Sequence, residues 1–277
     1  MNTLRAFHGD TSVKNKFLTR VRAHRQADEF RQKYFYWHNG VGCAVGCTIH
    51  SDNHELYETE LGIPHILARL EDYLFEEMPD YMAKKWPVDF LSVIPVGADL
   101  SRVWPTFMVW CLTDSKRGVI KYARTDEQRQ AIVEVARLYS EGCTDQAQWE
   151  AASSAAAVHY WDAISAKVKL NHRINAAQSA ATSSITCDAV REDCKTRLHI
   201  LSAELVTLST EENAARCAVD AALGKLDALG WAVNAARRLA AKTPWDNLPG
   251  YEASCKSYKT MTKELLRLLK DAPLQPI

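Results

Sequence analysis

Charge-bearing, sulfur-bearing and glycine-rich residues crowd into the stretch from Lys14 to Glu58. Lys16, Arg20, His24 and Asp28 recur every four residues. On a helix each such step drifts by only about 40°, so the four share a face, and Lys16, Arg20 and His24 together could hold an anion. The alternative is a solvated charged face. Gly40, Gly42 and Gly46 punctuate the run Asn39–Thr48. Backbone rich in glycine can curl until successive N–H groups converge on one anion. It can equally form a tight buried turn where no side chain fits. Between these two features lie Tyr34, Phe35, Tyr36, Trp37 and His38. Aromatic faces beside cations and free amides suit a planar ring carrying a phosphate, although such rings also serve simply as core. We therefore expect a site for a small phosphorylated, nucleotide-like ligand. Lys16, Arg20 and His24 would meet phosphate, Tyr36 or Trp37 would stack on a base, and the backbone from Gly42 to Gly46 would donate. Cys43, Cys47, His54 and Glu58 complete the candidate ligand-binding set.

The same stretch permits metal chemistry. Cys43, Cys47, His50 and His54 have the donor types that zinc prefers, but at Cys-x3-Cys-x2-His-x3-His they would close a very small loop, whereas zinc sites more often pair two separated halves. His24, Asp28, His54, Glu58, Glu71, Asp72 and Glu76 offer imidazoles and carboxylates for a catalytic metal in a helical body. Glu-x-x-His pairs of the di-iron type are absent. A metal-dependent hydrolase or transferase using His24, His54 and Glu58 is the first rival to the binding role. A Cys43 or Cys47 thiolate paired with His50 or His54 is a further combination, without a supporting motif. No dinucleotide fingerprint, phosphate loop or Gly-x-Ser-x-Gly elbow occurs, and no cofactor is assigned. Binding is favoured over catalysis.

Helices must position these residues. Ser12 can cap one running to about Tyr34. A loop is expected from His38 to Asn53. Pro64 can open a helix that ends before Pro79, in which Ile66, Leu67, Leu70, Leu74 and Phe75 repeat at helical spacing. Pro87 can open another, Asp99 can cap the next, and Gly118–Tyr122 reads as extended. Thr125 with Gln128 forms a capping box for a helix to about Tyr139. Pro244, Pro249 and Gly250 break the chain before a last helix from about Glu252 to Lys270. Eight of the 11 glycines lie in the part ending at Gly142, and alanine-rich runs such as Ala151–Ala157 and Ala176–Ala181 follow it. Alanine is the best helix former. The expected fold is mainly α: a helical N-terminal domain over residues 1–142, then long alanine-rich helices over 143–277 as a hairpin or bundle arm. That arm could join copies of the chain, and a protein–protein inhibitor or scaffold working through it is the second rival.

Composition narrows the classes. The 277 residues carry 34 Lys+Arg and 34 Asp+Glu, a formal net charge of zero. A broad basic footprint for DNA, RNA or anionic membrane is absent, so an anion site has to be local. No apolar run reaches the roughly 18 residues of a membrane span, and the opening residues lack an apolar signal core, so a cytoplasmic setting is expected. In that setting the eight cysteines are read as reduced thiols.

Residues about 7–120 resemble an uncharacterised protein family of tailed bacteriophages and bacteria. The carrying segments are Phe7-His8-Gly9, Gly42-Cys43-Ala44-Val45-Gly46-Cys47-Thr48, His54 with Tyr57-Glu58, Leu61-Gly62-Ile63-Pro64, Leu67-Ala68-Arg69-Leu70-Glu71-Asp72, and Val96-Gly97-Ala98-Asp99-Leu100-Ser101 with Val103-Trp104-Pro105. The resemblance implies a phage accessory protein acting in bacterial cytoplasm, where sequestering a host signalling nucleotide would be a coherent anti-defence use.

Overall fold

Prolines and capping side chains set many of the helix starts in the computed structural model, which describes residues 4–34, 36–183, 188–241 and 247–275. The chain is mainly α. It divides into two units, one made of Met1–Met108 with Tyr258–Ile277 and the other of Val109–Ser257. The shift in composition near Gly142 suggested a division there. The contacts run differently because helix-end residues on either side of that point pack together: the Tyr139 and Trp149 rings meet edge to face, centroids 4.9 Å apart.

In the first unit, α1 (Thr11–Gln26) is capped by Asp10, whose carboxylate accepts from the Ser12 amide at 2.7 Å. Asp10 thus takes the capping role expected of Ser12. The helix stops short of Tyr34 because Asp28 turns to a left-handed φ of 52° and the Arg31 amide donates to the Gly42 carbonyl at 2.9 Å. The expected loop from His38 to Asn53 instead holds a two-stranded ribbon, β1 (Trp37–His38) against β2 (Val41–Gly42), and a short buried helix, α2 (Ala44–Ile49). The ribbon is antiparallel, with Trp37 opposite Gly42. Then come α3 (Leu56–Leu61) and α4 (His65–Glu77), preceded by Pro64 as predicted. Leu67, Leu70, Leu74 and Phe75 on α4 are buried, following their spacing. The short α5 (Asp80–Ala83) and α6 (Trp86–Val93, with Pro87 in its first turn) lead to α7 (Val103–Thr113).

The second unit begins within α7. Val119–Tyr122 is a 3-10 turn rather than an extended segment, its tyrosine buried. The capping box forms as predicted: Thr125 and Gln128 satisfy each other's backbone amides at the start of α8 (Asp126–Glu141). Two long helices follow, α9 (Gln146–Ser183) and α10 (Asp188–Ala222), packed along each other, and then α11 (Asp227–Ala240), which packs on α10. Ala152, Ala156 and Ala163 of α9 and Ala214, Ala218 and Ala221 of α10 are buried; such small side chains let helix axes approach closely. Asp220 is buried and accepts from the Trp231 indole at 2.7 Å and from Arg216 at 3.2 Å.

The last helix, α12 (Asn247–Lys270), starts earlier than Glu252, with Pro249 tolerated in its first turn; residues 242–246 of the expected break lie outside the described residues. Tyr258, Met261, Leu265 and Leu269 of α12 are buried in the first unit. Beyond it the Asp99 amide donates to Pro273 at 2.8 Å and the Gln275 amide to Gly97 at 3.1 Å.

Candidate metal centre

The chemistry-bearing residues gather in the first unit, and α2 decides how. Its N-cap is Cys43, whose sulfur accepts from the Gly46 amide at 3.3 Å. All six helical residues are buried. That burial is possible because glycine stands at two points of contact with the preceding ribbon. A Cβ on Gly46 would lie 1.6 Å from the Tyr36 carbonyl oxygen, and one on Gly42 would lie 2.2 Å from it. The amides of the glycine run are used internally. Gly42 donates to Glu29 at 3.2 Å, Cys43 to Tyr36 at 3.1 Å, and Gly46 to the Cys43 sulfur. The expectation of open donors around Gly42–Gly46 is therefore corrected: the run is a tight buried turn, as steric need for glycine also allowed.

The basic face of α1 is spread over three separate contacts. Lys16 lies 3.8 Å from Glu60. The Arg20 guanidinium donates to the Thr48 carbonyl at 2.8 Å, closing the end of α2. His24 is buried, with Nδ1 2.6 Å from Glu29 and Nε2 2.8 Å from His50 Nε2. With Nδ1 donating to the carboxylate, Nε2 accepts and His50 donates. Trp37 stacks on the His50 ring, centroids 4.4 Å apart and planes within 10°. So Trp37 is occupied by an imidazole, while Tyr36, exposed, meets His54 edge to face at 5.1 Å. Glu58 is engaged at the start of α4, accepting from the His65 amide at 2.8 Å. Lys16, Arg20 and His24 do not form one anion pocket here.

The proposed four-ligand loop also rearranges. Cys47 sits one turn along α2, where its thiol donates to the Gly42 carbonyl at 3.5 Å, and burial pushes it up to about 12. His50 takes the left-handed C-cap of α2, φ 56°, and turns toward His24. Of the four, Cys43 and His54 remain together, and a carboxylate joins them. Cys43 Sγ, a ring nitrogen of His54 and a carboxylate oxygen of Asp72 all lie within 4.8 Å of one another. His54 Nε2 is 3.7 Å from Asp72 Oδ2. Asp72 is 6% exposed and Cys43 1%, while His54 is half-buried. His54 Nε2 and Asp72 Oδ1 have no hydrogen-bond partner in the interior. Leaving buried polar atoms unpaired costs about 1–3 kcal/mol each, so two in one small cluster are an uncommon arrangement.

Electrostatics follow from this crowding. Burial, reinforced by the Asp72 charge, pushes the Cys43 thiol far up. Burial likewise raises Asp72 and lowers His54, which also lies near His65 and Arg69. Asp72 takes hydrogen bonds from the Cys43 thiol and the Val45 amide, which oppose its rise. One turn on, burial pushes Glu76 up to about 7, and its carboxylate accepts from the Lys33 amide. Beside Asp72, Glu71 is wholly buried and accepts from the Tyr57 hydroxyl at 2.6 Å, and burial raises its carboxyl well above the ordinary range.

The donor set suits a transition metal. Thiolate, imidazole and carboxylate together favour zinc or a similar ion over magnesium or calcium. Ligand atoms around tetrahedral zinc, at roughly 2.0–2.3 Å from it, lie about 3.3–3.8 Å apart. The His54–Asp72 pair, at 3.7 Å, already lies within this range, and the three atoms, all within 4.8 Å of one another, need to close by no more than about 1 Å. A nucleophilic Cys–His–Asp triad fits less well. Asp72 faces the thiol directly and disfavours its thiolate, instead of standing behind the imidazole.

No family model, no curated protein and no solved structure matches this chain. Among the described residues no helix is long and apolar enough to cross a membrane.

The Glu29–His24–His50 chain gives a pH prediction. Burial, then the Arg20 and His24 charges, lower His50 from 6.5 to about 4. The folded state thus binds fewer protons than the unfolded state in that interval, and stability is lost as pH falls through it. The urea midpoint should drop between pH 6.5 and 4, and His50→Asn, which tolerates the left-handed backbone, should flatten that limb. An unchanged acid limb in the variant would assign the loss to other groups.

Proposed function

We propose that the first unit is a metal-dependent catalytic body in which Cys43, His54 and Asp72 hold one zinc-like ion. The observation that carries this is the meeting of three different donors from the start of α2, the segment before α3 and the middle of α4, with two of their buried polar atoms otherwise unpartnered. Three protein ligands leave a fourth position, the pattern of catalytic rather than structural zinc. When bound there, the ion would supply an activated water and polarise a substrate oxygen, the chemistry of hydrolysis or group transfer. The chain's part is to fix the donors: the Gly46 amide holds the Cys43 sulfur, the Val45 amide holds Asp72, and Tyr36 packs against His54. Such supporting contacts typically tune metal affinity by about 10–100-fold.

This reading takes His54 from the metal-dependent alternative and replaces His24 and Glu58, both engaged elsewhere, with Cys43 and Asp72. It stands ahead of phosphorylated-ligand sequestration because Arg20, His24 and the amides of Gly42, Cys43 and Gly46, on which that role depended, are committed to protein partners. The test is elemental analysis of the full chain purified from zinc-supplemented medium. One equivalent of metal per chain is expected, with near-ultraviolet thiolate-to-cobalt absorption after exchange for cobalt. A panel of ester and phosphodiester probes should show hydrolysis that chelation abolishes and zinc restores. Metal-free protein that takes up no zinc or cobalt would end the proposal; stoichiometric metal without any hydrolysis would reduce it to a structural site.

A further inference from the structure

Away from the metal donors, the first unit has a concave feature built from two helical stripes. On α12, Lys259, Thr262, Lys263 and Leu266 recur at three- and four-residue spacing. Facing them, Met78, Tyr81, Met82, Lys85, Trp86 and Asp89 recur at similar intervals from the end of α4 into α6. Together they enclose a groove of about 350 Å³, within the size range of small-molecule sites. Its floor is apolar and firm. Met78, Met82 and Trp86 are buried, and the Trp86 indole is fixed by donating to the Glu71 carbonyl at 2.9 Å. Methionine adapts to irregular apolar shapes, and tryptophan presents a broad apolar face.

The rim carries the selectivity. Lys85, Lys259 and Lys263 are exposed, and none has an ion-pair partner among the described residues. Asp89 is the one acidic side chain in the lining. The groove therefore pairs an apolar bed with a net positive edge. Its length argues for a small molecule over a peptide helix: the stripe from Lys259 to Leu266 rises about 10 Å, whereas helical ligands need several turns of contact to offset their ordering.

We propose that this groove binds a small amphipathic anion, a carboxylate on a short acyl or aromatic body. The apolar part lies on Met78, Met82 and Trp86, and the carboxylate lies among Lys85, Lys259 and Lys263. The proposal is independent of the metal reading, since none of its residues is a metal donor.

Isothermal titration of the full chain with octanoate and with octylammonium tests it, since the two probes share an apolar body and differ in charge. Octanoate should bind about tenfold more tightly, as expected when three exposed cations face one acid. In Lys259→Glu/Lys263→Glu the preference should invert; both side chains are exposed, and circular dichroism checks the fold. Should that double variant misfold, Lys85→Glu alone should reduce the preference. Equal affinity for the two probes, no measurable octanoate binding, or a preference unchanged in a folded variant would overturn the proposal.

Discussion

Replacing Cys43 by serine should weaken zinc binding by more than about a hundredfold, because loss of a ligand exceeds the effect of losing its supporting contacts. Asp72→Asn should do the same while keeping the side chain's shape, since the amide lacks the charge that the ion requires. The control is Cys47→Ser. Cys47 is as buried as Cys43 and lies one turn away, yet its thiol points to the Gly42 carbonyl, so its serine variant should retain a full equivalent. Competition against a chromogenic chelator reads all three. A result in which Cys43→Ser and Cys47→Ser lose metal alike would implicate general damage to α2. The nucleophile reading predicts another pattern: rapid alkylation of Cys43 by iodoacetamide in metal-free protein. The buried thiol, raised by Asp72, should react slowly with or without zinc.

The second large effect is steric. Gly46→Ala should destabilise the fold by about 3 kcal/mol or more, at the upper end of overpacking costs. In an exposed helix the same change would gain about 1 kcal/mol. Here the new methyl would sit on the Tyr36 carbonyl oxygen, at 1.6 Å, and that oxygen cannot move freely because it accepts from the Cys43 amide. Urea unfolding should show a lower midpoint with little change in slope. Metal affinity should fall as well, since the Gly46 amide supports the Cys43 sulfur. A variant as stable as the parent would mean that α2 can shift off the ribbon.

These two results mark what a reader of the sequence can and cannot see. Local rules worked where local causes dominate. The Thr125–Gln128 box, the apolar stripe of α4 behind Pro64 and the alanine-rich length of α9 and α10 all follow from spacing and propensity, and all are present. The glycine run was recognisable as special, but sequence could not choose between an open nest and a buried turn, because both need the same missing side chain. What decides is Tyr36, whose carbonyl occupies the space. Similarly, Cys43 and His54 were legible as donors within one compact motif, and Asp72 as one of several carboxylates. Their meeting is a tertiary event. The α2 turn carries Cys47 into the core and His50 toward His24, leaving room for a residue from α4. A Cys-x10-His pair with an aspartate further along has no motif to announce it.

The order of the chain has its own consequence for biosynthesis. The segment Val109–Ser257 is threaded between two portions of the first unit, so that unit depends on residues synthesised after the whole of the second. At roughly 5–20 residues per second, α1–α6 would wait many seconds on the ribosome before α12 arrives beside Met78, Met82 and Trp86 and before Pro273 and Gln275 pair with Asp99 and Gly97. A premature stop before Tyr258 should therefore harm the earlier-made helices of the first unit most, leaving them adhesive and dependent on chaperones although their own codons are intact.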